Sequence, residues 1–185
     1  GAIDMVSVRW KMLPDGIAYI ELMSFAEDTV DLFNKAVGEI TAAGAKGIIL
    51  DLRGNSGGYL ESAVDVASHW TGKQIITIER DSKGAETPFY GNNQGALADI
   101  PTVILINQGT ASGSEILAGA LKDYGKATLV GKQSFGKGSV QEMESLKDGS
   151  AVKITIAEWL TPNRESFDGQ GIVPDYEIDF SDDDY

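Results

Sequence analysis

Two short, almost uninterrupted apolar runs constrain the fold of this chain more than any other feature. They are Gly47-Ile48-Ile49-Leu50-Asp51-Leu52 and Thr102-Val103-Ile104-Leu105-Ile106-Asn107. A strand with one wet face alternates apolar and polar residues, whereas a run without alternation reads as a buried strand of a parallel sheet. Glycine-rich residues 53–58 follow the first run, and then Leu60, Ala63, Val64 and Ala67 recur at helical spacing. A helix over about 114–124, stopped by Gly125, is expected after the second run. Strand, turn and helix, used twice, predict an α/β core.

The remaining segments extend that core. Residues 17–22, 74–79, 127–131, 139–146 and 152–160 read as strands, and 28–43 as a helix with Phe33, Ala36, Val37 and Ile40 inward. Residues 81–99 are polar and glycine-rich, which predicts a surface loop or hairpin, and Lys147-Asp148-Gly149-Ser150 predicts a hairpin turn. Helices alternate with strands through the middle and strands dominate afterwards, so a mixed sheet with flanking helices is expected. With no repeat and no linker, the 185 residues read as one domain. Residues 1–15 form an N-terminal extension of it and 179–185 an acidic tail.

Composition narrows the chemistry. The absence of cysteine excludes disulfides, thiolate catalysis and zinc sites built on cysteine. The net charge of −13 repels nucleic acid and anionic membranes, so no nucleic-acid partner is expected. The single histidine, His69, leaves few conventional bases.

Ser112 follows the second buried run and opens the helix after it. A serine hydroxyl is a poor nucleophile until a base takes its proton. The first N–H groups of a helix are unpaired and favour negative charge. The Gly113 N–H could therefore donate to the oxygen of a tetrahedral intermediate, and the Gly57-Gly58 turn could supply a second donor. The same residues also have plainer readings. Ser112-Gly113-Ser114-Glu115 fits a capping box, residues 54–58 fit a tight turn, and Lys137, between Gly136 and Gly138, fits an exposed loop lysine. As a base, Lys137 would need help, because an ordinary lysine is neutral only about once in a thousand near pH 7.4. Burial would supply it, and the flanking glycines would let the lysine stem lie tightly against backbone. If the following strand extends back to Lys137, alternation puts Gln141 on the same face, where its amide can orient an amine.

Four collinear blocks resemble the carboxy-terminal processing, or tail-specific, proteases. They are residues 47–58, residues 107–121, residues 130–141 with Ser134-Phe135-Gly136-Lys137-Gly138-Ser139-Val140-Gln141, and residues 160–175 with Asp168-Gly169-Gln170-Gly171-Ile172-Val173-Pro174-Asp175. The resemblance runs from about residue 16 to 178. It implies a crotonase/ClpP-like α/β fold and a serine endopeptidase that cuts peptides or proteins near their C-termini through an acyl-enzyme, with no metal or cofactor. Ser112 would be the nucleophile, Lys137 the general base and Gln141 the support of the lysine. Backbone oxyanion donors would lie at Gly58 and Gly113, with Gly57 the alternative if the turn shifts by one. An aspartate that some members need falls on Asp123, which reads more simply as a surface residue.

The resemblance further implies C-terminal tails as partners, an extracytoplasmic setting (periplasm, cell envelope or organelle lumen) and a regulatory PDZ domain upstream. Without that domain the core is expected to be weakly active or inactive. Two departures stand out: Gly113 replaces the usual alanine after the nucleophile, and Thr110 replaces a frequent serine. Two other readings remain, a catalytically silent binding module on the same fold and a crotonase-type acyl-CoA enzyme.

Overall fold

A computed structural model of the chain describes residues 6–145 and 150–178. In chain order the elements are β1 (Val8–Leu13), β2 (Ile17–Leu22), α1 (Thr29–Ala42), β3 (Gly47–Asp51), α2 (Leu60–Thr71), β4 (Ile75–Asp81), β5 (Glu86–Tyr90), β6 (Thr102–Ile106), α3 (Gly113–Asp123), β7 (Thr128–Gly131), β8 (Ser139–Ser145), β9 (Ala151–Leu160) and β10 (Tyr176–Glu177). A six-stranded sheet runs β1-β2-β3-β6-β7-β10 and a four-stranded sheet runs β5-β4-β9-β8. The first is mixed: β1 is antiparallel to β2, and every other pairing is parallel.

The period-2 rule for strands explains the core. Ala18, Ile20 and Leu22 of β2, Ile48 and Leu50 of β3, Ile104 and Ile106 of β6, and Leu129 of β7 are all buried. They share one core with Phe33 and Ile40 of α1, Ala63, Val66 and Trp70 of α2, and Leu117 and Leu121 of α3. The opposite sheet face carries Tyr19, Ile49, Val103, Leu105 and Val130, all half-buried. The apolar runs are therefore parallel strands as expected, but only one of their faces is fully covered.

Residues 81–99 hold the turn and second strand of a hairpin whose first strand, β4, ends at Asp81, within the range expected for a loop or hairpin. The turn at 147–150 falls largely outside the described residues, as does the acidic tail. Strand β1 was not legible in the sequence: Arg9 and Lys11 interrupt it because it is a sheet edge, where charged side chains discourage pairing with other chains.

Three adjacent parallel strands, β3, β6 and β7, end side by side. Their C-termini lead into residues 52–58, 107–112 and 132–138. In open α/β sheets ligands bind beyond the carboxyl ends of the strands, so the topology alone brings the glycine turn, the serine and the lysine to one edge.

Candidate active site

Ser112 adopts φ 55° and ψ −119°, a conformation that costs a non-glycine residue about 1–3 kcal/mol. Its surroundings hold it there. Thr110 Oγ1 donates to the Leu52 carbonyl (2.8 Å) and accepts the Asn107 N–H (3.0 Å). The Asn55 carbonyl accepts the Ala111 N–H and the Ser114 hydroxyl, both at 3.0 Å. Asn55 is itself buried and donates from Nδ2 to the Leu22 carbonyl at 2.8 Å. A strained serine on a sharp strand-to-helix turn is how nucleophile elbows present a hydroxyl.

The glycine turn lies directly against it. A Cβ on Gly57 would stand 2.7 Å from Ser112 Cβ and 2.9 Å from the Gly113 nitrogen. A Cβ on Gly58, at φ 146°, would meet the Phe25 carbonyl oxygen at 2.1 Å, so no larger residue fits. The Gly57 N–H is already given to Asn55 Oδ1 at 2.9 Å. The N–H groups of Gly58 and Gly113 have no acceptor among the described residues. This corrects the Gly57 alternative: the Asn55 side chain occupies that donor and leaves Gly58 available. At Gly113, a Cβ would approach Phe25 and Ala63 to 3.3 Å, a tight fit that accounts for glycine here.

Glu115 is the group that sequence reasoning undervalued. It is wholly buried, yet four donors converge on it. Oε2 accepts the N–H groups of Ser112 and Lys137, each at 2.8 Å. Oε1 accepts the Ser134 hydroxyl and the Gly136 N–H, each at 2.6 Å. The Glu115 N–H also reaches the Ser112 carbonyl at 2.8 Å. One carboxylate thus fastens the Ser112 turn to residues 134–138, the strap that carries Lys137. A signal was present: an acid on a helix whose residues Gly113 to Leu121 are all buried needs internal donors.

Lys137 itself is exposed, which corrects the expectation that its stem is packed against backbone. Gly136 and Gly138 serve a different contact. A Cβ on Gly136 would lie 2.8 Å from the Gly171 nitrogen, and one on Gly138 would lie 2.7 Å from the Asp168 nitrogen. The glycines let the strap lie on residues 167–171. Gln141, on β8, is also exposed.

Asp123 is not brought to this edge. It ends α3, about 15 Å along the helix from Gly113, and its carboxylate accepts the Asn163 N–H at 2.8 Å. His69 is buried in α2 against Phe33, with ring centroids 5.5 Å apart. Burial lowers its pKa, and the Asp65 charge opposes that shift only in part.

Beneath the glycine turn, Asp51 receives Arg53 through both Nε and Nη2, the shortest contact being 2.7 Å, and the Tyr19 hydroxyl at 2.6 Å. Burial and the Asp51 hydrogen bond push Tyr19 up to about 12. For Asp51, burial raises the pKa, but hydrogen bonds from Arg53 and Tyr19 outweigh it and the net shift is downward. A carboxylate depressed in the folded state adds stability above its unfolded pKa, about 3.9. That contribution is lost as pH falls through the lower folded value. Acid unfolding should therefore steepen below about pH 4, and Asp51→Asn should flatten that limb of a plot of urea midpoint against pH.

A strained serine at a helix mouth, beside two N–H groups without acceptors, is the layout of a serine hydrolase. Within that class the chain belongs to peptidase family S41, whose sequence profile matches residues 16–178. It is 41% identical over 159 residues to a carboxyl-terminal-processing protease of Synechocystis sp., covering 86% of this chain and 37% of that protein. It is 40% identical over 167 residues to the chloroplastic carboxyl-terminal-processing peptidase 3 of Arabidopsis thaliana, covering 88% and 32% respectively. The chain thus spans about a third of the length of these relatives. Among solved structures, a photosystem II D1 C-terminal processing protease superposes with a TM-score of 0.87 at 30% identity, over 96% of this chain and 49% of that one. A lipoprotein from Streptococcus agalactiae shares the fold, with a TM-score of 0.77 at 20% identity over 95% and 66% of the two chains. The mixed α/β fold implied by the resemblance is borne out.

Proposed function

We propose that the chain is the catalytic core of a serine endopeptidase that cuts peptides or proteins near their C-termini. One observation carries the reading: Glu115 Oε2 accepts the backbone N–H of both Ser112 and Lys137. A single buried atom thereby fixes nucleophile and base segments relative to each other. Ser112 Oγ attacks the scissile carbonyl while Lys137 Nζ takes its proton. The N–H groups of Gly58 and Gly113 receive the developing oxyanion. The protonated lysine then gives its proton to the leaving amine, and water, activated by the same lysine, hydrolyses the acyl-enzyme. The Gly138 carbonyl accepts the Trp159 N–H at 2.6 Å, which carries the β8–β9 ladder back to the residue after Lys137. The β8–β9 register shifts between Val140 and Gln141, so the supporting role of Gln141 rests on the family resemblance alone.

The exposure of Lys137 favours a core that is weakly active alone. Burial of the lysine then comes from substrate and from an upstream PDZ domain that presents the substrate tail. An extracytoplasmic setting accords with a relative named as chloroplastic.

A fluorophosphonate probe tests the reading. The adduct is expected on Ser112, located by mass spectrometry of the digested protein. An adduct on Ser114 or Thr110 would move the nucleophile. No adduct at saturating probe would favour the binding-module or acyl-CoA readings.

A further inference from the structure

We propose that Asp168 is a positioning residue for Lys137, acting through a clamp that residues 166–172 place on the strap. The proposal rests on the Ser112/Lys137 reading above. The clamp is a run of hydrogen bonds between two stretches distant in sequence. The Ser134 N–H donates to the Ile172 carbonyl (3.1 Å), and the Gly169 N–H to the Gly136 carbonyl (2.8 Å). The Ile172 N–H donates to Ser134 Oγ at 2.6 Å, and Gln133 Nε2 donates to the Gln170 carbonyl. The Gly138 N–H donates to Asp168 Oδ1 at 3.1 Å. The backbones touch, since a Cβ on Gly171 would stand 2.3 Å from the Ser134 carbonyl oxygen.

The consequence for Lys137 is geometric. Its backbone torsions are the angles between two peptide planes, one before its Cα and one after. The N–H of the first plane is held by Glu115, and that of the second by Asp168. Holding both planes fixes the direction in which the side chain leaves the backbone. A lysine ammonium lies roughly 6 Å from its Cα, so a tilt of about 10° moves it about 1 Å. A displacement of that size can cost about a hundredfold in rate.

Asp168 suits a positioning role better than a stabilising one. It is exposed, and its carboxylate accepts no other hydrogen bond among the described residues. The clamp is tied in turn to the second sheet: the Asp168 N–H meets Ser166 Oγ at 3.4 Å, and that hydroxyl donates to Glu158 Oε2 at 2.7 Å.

The experiment compares Asp168→Ala and Asp168→Asn with wild type. Acylation by an activated p-nitrophenyl ester is read as separate rate and half-saturation constants, and exchange of the Gly138 amide is read by NMR. For Asp168→Ala, amide exchange should quicken about tenfold. Its acylation rate constant should fall about 10–100-fold, with half-saturation changed less than about twofold. Asp168→Asn keeps an oxygen for the Gly138 N–H and should restore both readouts to within about threefold of wild type. Unchanged Gly138 exchange in Asp168→Ala, or acylation within twofold of wild type, would overturn the proposal. So would an asparagine variant as slow as the alanine variant. Lys137→Ala is run alongside: full acylation by that variant would sink the dyad reading itself, whatever Asp168 does.

Discussion

Lys137→Arg should abolish peptide turnover while leaving the fold intact. The guanidinium stays protonated at any pH the protein survives, so it cannot take the Ser112 proton. General-base assistance is worth about 10²–10⁴-fold, and a loss within that range is expected. Length and charge are nearly kept, and the bond from the residue-137 N–H to Glu115 is made by backbone, so it survives the change. Lys137 is exposed, and exposed substitutions usually alter stability by less than about 0.5 kcal/mol. Peptide turnover, measured beside the thermal melting curve, checks the expectation. An arginine variant with more than a tenth of wild-type activity and an unchanged melting curve would assign the base to another group.

Glu115→Gln should be harmful in both respects, although it keeps shape and volume. The carboxylate offers two acceptor oxygens to four donors. An amide offers one oxygen and turns two N–H bonds toward the other pair of donors. Whichever way it is oriented, either the Ser112 and Lys137 N–H groups or the Ser134 and Gly136 donors lose their acceptor. Buried unsatisfied donors cost about 1–3 kcal/mol each, so two of them should cost about 2–6 kcal/mol, read as a lower urea midpoint. Either way the strap loses one of its two ties to Glu115, and on the proposed roles the acylation rate constant should drop at least about a hundredfold in protein that is still folded. The Ser112 and Lys137 side chains are untouched, so retained activity would show that the four-donor node does not align them.

Much of this architecture was legible because it is written in local periods. The apolar runs of β3 and β6, the helical spacing of α2 and the serine at the mouth of α3 all announce themselves within a dozen residues. The rest depends on contacts between distant segments. Glu115 looks like half of a capping box because the sequence near it shows only Ser112, while its other donors arrive from residues 134–137. Gly57 and Gly58 are indistinguishable by pattern, and the Asn55 side chain decides between them. The glycines around Lys137 suggested a lysine packed on backbone, but they make room for residues 167–171. Asp123 falls on the right helix at the wrong end, a distinction that requires the direction of α3.

On the Ser112/Lys137 reading, the long reach of the clamp sets when a newly made chain first gains its complete site. Synthesis releases the N-terminal part first, and contacts between distant residues form late. By the time α3 has been made, Ser112, the glycine turn and Glu115 are present, but the donors of Glu115 at residues 134–137 are not. The strap follows, but its partners Asp168, Gly169 and Ile172 come some thirty residues later. β4 likewise waits for β9, pairing Ile78 with Leu160. On the proposed roles, a partly made chain therefore carries Ser112 before the contacts that place Lys137.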